Sequence, residues 1–219
     1  MIEAVIFDMD GLLFDTEKLC MEMWQAVGEK EGIDFSDELF YKCIGRNNKD
    51  TKEIVLDSLG RDFPYDDFRK RASEAMRDVM EKLGPPKKKG LDELFSFLKQ
   101  HNVKTALATS TSRENATWMV TKAGLFSFFD AFAFGNEVAS GKPEPDIFLL
   151  AAQRLNAEPS KCIVYEDSEA GLKAAHNAHM RSVFVKDLLE PGDDVLSKIW
   201  KRCLSLDASI DILRAELCP

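Results

Sequence analysis

The chain has 219 residues, of which 45% are apolar, enough for one good-sized domain or a core domain carrying a smaller insertion. Its formal net charge of −9 argues against a nucleic-acid-binding face. An anionic ligand would need positive potential supplied locally, by a metal, a lysine or backbone N–H groups.

No apolar run reaches about 18 residues, so no membrane span is expected. The start, MIEAVIFD, enters a strand almost at once with no basic leader, so a cytoplasmic protein without a signal peptide is expected. Cys20, Cys43, Cys162, Cys203 and Cys218 are odd in number and form no CxxC pair; they read as reduced thiols. His176 and His179 read as a structural pair on a helix surface.

The first predicted strand is 4–7, Ala-Val-Ile-Phe, and Asp8-Met9-Asp10-Gly11 follows it. Residues 16–84 then read as almost wholly helical, over 16–31, 36–43, 48–59 and 65–83. Leu19, Met23 and Val27 make one apolar stripe, and Met76, Val79 and Leu83 another. Gly84-Pro85-Pro86-Lys87-Lys88-Lys89-Gly90 reads as a hinge with solvated lysines. Four more short strands are predicted at 104–108, 131–134, 162–165 and 182–185, with helices at 112–123, 145–155 and 168–177. Strands without polar alternation, separated by helices, indicate a parallel sheet covered on both faces.

Ligands of open parallel sheets bind beyond the carboxyl ends of the strands. The residues found there are Asp8, Asp10 and Gly11; Thr109, Ser110, Thr111 and Ser112; Lys142 in GKPEPD; and Glu166 and Asp167. Each piece has a plain structural alternative. Thr111-Ser112-Arg113-Glu114 fits a capping box, Asp167 a helix N-cap, and Lys142 an exposed turn lysine. Together they point to chemistry, because each falls at the same end of its strand. Carboxylates gathered so closely need a cation, and an all-oxygen set suits Mg²⁺. Asp8 is placed to attack phosphorus, Asp10 to act as the acid and then the base, and Gly11 to let backbone N–H groups face phosphate oxygens.

These motifs, Asp8-x-Asp10-Gly11-x-x-x-Asp15-Thr16-Glu17, Thr109-Ser110, Lys142-Pro143-x-Pro145-Asp146 and Glu166-Asp167-Ser168-x-x-Gly171, resemble in order the four motifs of the haloacid-dehalogenase-like hydrolases. Within them the chain resembles the β-phosphoglucomutase-like phosphatases with a helical cap. The resemblance implies an α/β fold: a Rossmann-like parallel sheet core, residues 1–15 and 85–219, with an inserted all-helical cap, residues 16–84, that closes over substrate. It implies Asp8 as nucleophile, Asp10 as acid/base, Thr109 and Ser110 as phosphate ligands and Lys142 as the stabilising cation. Mg²⁺ would be held by Asp8, the Asp10 carbonyl and Asp167, with Glu166 a ligand or close support.

The expected activity is Mg²⁺-dependent hydrolysis of a small phosphorylated metabolite, a sugar or nucleoside phosphate, by a monomer, with phosphomutase activity as the alternative. Relatives with mutase activity carry a histidine where this chain has Cys20. Arg46, in Gly45-Arg46-Asn47-Asn48, stands where relatives place a basic residue that reaches the substrate. Asn136 replaces a common aspartate. His179 stands where a glycine usually ends the helix. A haloacid dehalogenase would need neither Asp10 nor Asp167.

Overall fold

The computed structural model describes residues 2–44, 46 and 48–217; Gly45, Asn47 and Cys218 lie outside the described residues. The chain divides into two compact units, Met1–Asp15 with Lys87–Pro219, and Thr16–Pro86.

The first unit is built on six parallel strands in the order β3-β2-β1-β4-β5-β6. They are β1 (Ala4–Phe7), β2 (Lys104–Thr109), β3 (Ala131–Phe134), β4 (Cys162–Glu166), β5 (Arg181–Val185) and β6 (Lys201–Cys203). The sheet is Rossmann-like, as expected, and β1 lies at its centre. All four residues of β1 are fully buried, which is why the strand reads as an unbroken apolar run. Small residues on one face (Ala106, Ala108, Ala131 and Ala133) let the helices pack closely against the sheet.

β6 was not predicted. Two of its three residues are charged and exposed, so it carries no apolar signal. The helix Leu91–Gln100 was also missed, although Leu91, Leu94, Phe95 and Leu98 follow helical spacing and are buried.

The second unit is all helical: α1 (Thr16–Lys30), α2 (Asp37–Cys43), α3 (Asn48–Leu59) and α4 (Tyr65–Leu83). Its core forms around Trp24, whose ring meets Phe35, Phe40, Tyr65 and Phe68 edge-on at centroid distances of 4.8 to 6.2 Å. Of the stripe residues expected in α4, Leu83 is 83% exposed; the buried face of that helix runs through Phe68, Ala72 and Met80 instead.

Candidate active site

Sheet register assembles the site. Phe7 pairs with Leu107 of β2 on one side and Tyr165 of β4 on the other. The next residue, Asp8, therefore leaves the sheet beside Glu166, the last residue of β4, and its N–H donates to the Tyr165 carbonyl (3.1 Å). Lys142 reaches the same place from the segment after β3. Its Nζ donates to Asp8 Oδ1 and to Glu166 Oε1, the latter at 2.6 Å. The Lys142 side chain is 7% exposed, so it is not a turn lysine in water. Its ammonium also lies 5.0 Å from the centre of the Phe148 ring.

Glu166 is fully buried and both its oxygens are engaged. Oε1 takes the lysine, while Oε2 accepts from the Ser168 N–H (2.7 Å) and Ser168 Oγ (2.9 Å). Gly171 is required here, because a Cβ on it would run into the Glu166 carboxylate. Ser168, not Asp167, caps the following helix (Glu169–Asn177) by accepting from the Gly171 N–H. That leaves Asp167 without a capping role, and its Oδ1 is buried with no hydrogen-bond partner among the described residues. Gly11, at φ +80°, makes room for Asp167: a Cβ there would overlap its carboxylate. The Gly11 N–H donates to the Phe14 carbonyl (2.9 Å), so this glycine contributes space, and its own N–H is already engaged.

Asp8, Glu166 and Asp167 each offer an oxygen within 4.8 Å of the others. Burial is the main cause that pushes Asp8 up to about 7; Lys142 pulls it down, and Glu166 adds repulsion. Burial, then the charges of Glu166, Asp8 and Asp187, raise Asp167 well above the ordinary carboxylate range. Burial works against the Lys142 ammonium too, but Asp8 and Glu166 outweigh it and hold its pKa above the usual lysine value. Two buried carboxylates and the half-buried Asp167, against the Lys142 ammonium, leave an excess of negative charge. The orphaned Asp167 oxygen lies among them, and all the donors are hard oxygens. These residues fit a divalent cation such as Mg²⁺.

The strand tip of β2 supplies hydroxyls. Thr109 is buried and its Oγ1 accepts from the Thr111 N–H (3.1 Å). Ser110 is exposed. The capping-box expectation at Thr111 fails. The helix Arg113–Lys122 begins after Ser112 with no side-chain cap of its own, and Thr111 Oγ1 donates to Asp10 Oδ2 (2.7 Å) instead. The cap comes from the short 3-10 helix Gly135–Glu137 after β3, where Asn136 Oδ1 accepts from the Arg113 N–H (3.1 Å). Asp10 is thus oriented by Thr111, and its carboxylate is not one of the clustered three.

In the helical unit, Cys20 packs on the aromatic core, and burial is the main cause that pushes its thiol up to about 12. Arg46 is exposed, and its N–H donates to the Cys43 carbonyl (3.1 Å).

A second group of charges carries no local sequence signal. Lys88, expected in water, lies 2.5 Å from Asp187, and the two side chains are 17% and 6% exposed. Ninety-nine positions separate them, so no local pattern marks the pair.

The family model of the haloacid dehalogenase-like hydrolases matches residues 2–179. A phosphorylated carbohydrates phosphatase of Thermotoga maritima is 36% identical over 205 residues, covering 90% of this chain and 94% of that protein. A β-phosphoglucomutase of Bacillus subtilis is 32% identical over 190 residues, covering 84% and 83%. A crystal structure of a Thermotoga maritima protein superposes with a TM-score of 0.83 at 33% identity, covering 98% of this chain and 99% of that one. The chain belongs to the haloacid dehalogenase-like hydrolases, among relatives of the β-phosphoglucomutase type.

Proposed function

We propose that this hydrolase is a Mg²⁺-dependent phosphatase of small phosphomonoesters, sugar or nucleoside phosphates, working through an aspartyl-phosphate on Asp8. One observation carries the reading: the carboxylates of buried Asp8 and Glu166 and of half-buried Asp167 cluster beside Lys142, and one Asp167 oxygen has no hydrogen-bond partner among the described residues. Asp8, the Asp10 carbonyl and Asp167 would hold the cation, with Glu166 in support because its oxygens are already engaged. When bound, Mg²⁺ would offset the carboxylate charge and polarise a phosphoryl oxygen.

Asp8 attacks phosphorus, and the bond to the departing alkoxide breaks as Asp10 gives it a proton. Asp10 then takes a proton from a water that attacks the same phosphorus, which frees phosphate and restores the Asp8 carboxylate. Lys142 balances charge on the phosphoryl oxygens, and the Thr109 and Ser110 hydroxyls bind them. The Thr111 hydroxyl keeps Asp10 aimed. We assign substrate selection to the helical unit as a cap, with Arg46 as its candidate anion contact. The Thermotoga maritima relative named for phosphorylated carbohydrates supports the sugar phosphate class.

A phosphomutase is the second reading, favoured by the Bacillus subtilis relative. Cys20 opposes it, because a neutral, high-pKa thiol is a poor substitute for an imidazole in moving protons.

Hydrolysis of p-nitrophenyl phosphate tests the proposal. Activity is expected to vanish in EDTA and return with Mg²⁺, and Asp8→Asn is expected to abolish turnover with the fold intact. If that variant kept more than about a few per cent of the wild-type rate, Asp8 would not be the nucleophile. Conversion of a sugar phosphate to its isomer only with a sugar bisphosphate present, and without phosphate release, would favour the mutase.

A further inference from the structure

A second layer of charge lies behind the carboxylate cluster, unused by the mechanism above. Lys88 Nζ is 2.5 Å from Asp187 Oδ1 and 3.6 Å from Asp15 Oδ1. The lysine follows the helical insertion, Asp187 lies two residues past β5, and Asp15 ends the loop that leaves β1. The backbone of Lys88 is tied to that loop as well, its N–H donating to the Leu13 carbonyl (2.9 Å). Asp187 Oδ2 faces Gly11. A Cβ on Gly11 would stand 3.0 Å from this oxygen and collide with the Asp167 carboxylate. Asp167 and Asp187 therefore crowd the same face of one glycine. Asp167 has an unpartnered oxygen; Asp187 is held by an ammonium.

An ion pair this well buried loses the hydration of two charges and is a poor device for stability alone. Its place beside Asp167 suggests a different use. We propose that Lys88 is a positioning residue that holds Asp187 back from the ligand set of the candidate cation site, and so keeps that site selective for a small ion. The inference rests on the reading of Asp167 as a cation ligand. Mg²⁺ demands a compact, near-octahedral set with bonds of about 2.0–2.1 Å, whereas Ca²⁺ accepts about six to eight oxygens at about 2.3–2.6 Å. A second free carboxylate next to Asp167 favours the larger ion. Lys88 removes it from competition without removing it from the fold.

Calorimetric titration of the metal-free protein with Mg²⁺ and with Ca²⁺ tests this without any turnover. Lys88→Met is expected to shift the ratio of the two dissociation constants toward Ca²⁺ by about 10-fold or more, because Asp187 becomes available as a ligand. Lys88→Arg is expected to keep the wild-type ratio, and Lys88→Met with Asp187→Asn to return to within about twofold of it. An unmoved ratio in folded Lys88→Met, or a double variant that fails to return, would overturn the proposal. Should Lys88→Met not fold by circular dichroism, Lys88→Gln decides on the same ratio, since it keeps a donor and loses the charge. Asp167→Asn separates the two layers of the argument. If it leaves both affinities unchanged, the cation-ligand reading of Asp167 falls and this inference with it. If it weakens both while Lys88→Met leaves the ratio unmoved, only the role of Lys88 falls.

Discussion

Replacing Lys142 with methionine removes a charge and keeps most of the volume, so its effect reads out electrostatics. The ammonium contacts two carboxylates whose side chains are 10% and 0% exposed, and is itself 7% exposed. Breaking a buried pair by removing one partner costs about 3–5 kcal/mol, because the remaining charge stays buried without compensation. The pair Lys161–Glu3, at 3.0 Å with side chains 43% and 39% exposed, supplies the contrast; water screens it, so removing it should cost far less. Urea denaturation of the wild type, Lys142→Met and Lys161→Met in EDTA near neutral pH measures both losses.

Adding Mg²⁺ should recover part of the Lys142→Met loss and little of the Lys161→Met loss. A cluster with more excess negative charge binds the cation more tightly, and a ligand that binds only the folded state stabilises by RT ln(1 + [L]/Kd). In the presence of Mg²⁺, phosphatase kcat should still fall by about 100-fold or more, as for the loss of one preorganised charge-stabilising donor. If Lys142→Met lost no more stability than Lys161→Met, or kept its kcat, the ammonium would not be the compensating charge of this site.

Other consequences are open to measurement. Glu137 accepts from Arg113, from Arg154 (2.6 Å) and from the Phe134 N–H (3.1 Å); the Arg154 contact is the largest cause holding its carboxyl down at about 2, against an ordinary value of 4.5. Because the folded pKa is the lower one, its stabilisation is full above about pH 4.5 and is lost as pH falls toward about 2. Glu137→Gln should therefore cost on the order of 1–3 kcal/mol near neutral pH, and the gap from wild type should narrow in urea melts between about pH 5 and about pH 3. A gap independent of pH would mean that the charge does not matter.

His179 adopts φ +58° after the helix Glu169–Asn177 and is exposed, so His179→Gly should raise stability by about 0.5–1 kcal/mol in the same assay. No gain would mean that its side chain offsets the strain. Thr111→Val removes the hydroxyl that donates to Asp10 and should lower kcat by about 10-fold with KM little changed. An unchanged kcat would show that Asp10 needs no such guide.

Much of the core was legible because its signals are local. β1 and β4 are buried on both faces, so their sequences are continuous apolar runs with charged residues directly after them, and Asp8, Glu166 and Asp167 stand where those runs end. The helices of the insertion announced themselves by spacing, although Leu83 shows that periodicity alone misjudges which face is buried at a helix end. What stayed hidden depends on the distant chain. Nothing near Lys142 separates a buried ammonium from a turn lysine, and nothing near Thr111 says that its hydroxyl turns toward Asp10 rather than its own helix. Lys88 and Asp187 look like ordinary surface charges until β5 ends beside the loop after β1.

Asp8 and Lys142 lie 134 positions apart, and Glu166 a further 24 beyond Lys142. Such a constellation cannot exist in a nascent or half-collapsed chain, since its members meet only after the most sequence-distant pairings have closed. A cation that recognises it would therefore be no nucleus for folding. It would act as an inspector of the finished product, adding stability only to molecules whose central strands have already docked, and so sharpening the distinction between chains that are complete and chains that are nearly so.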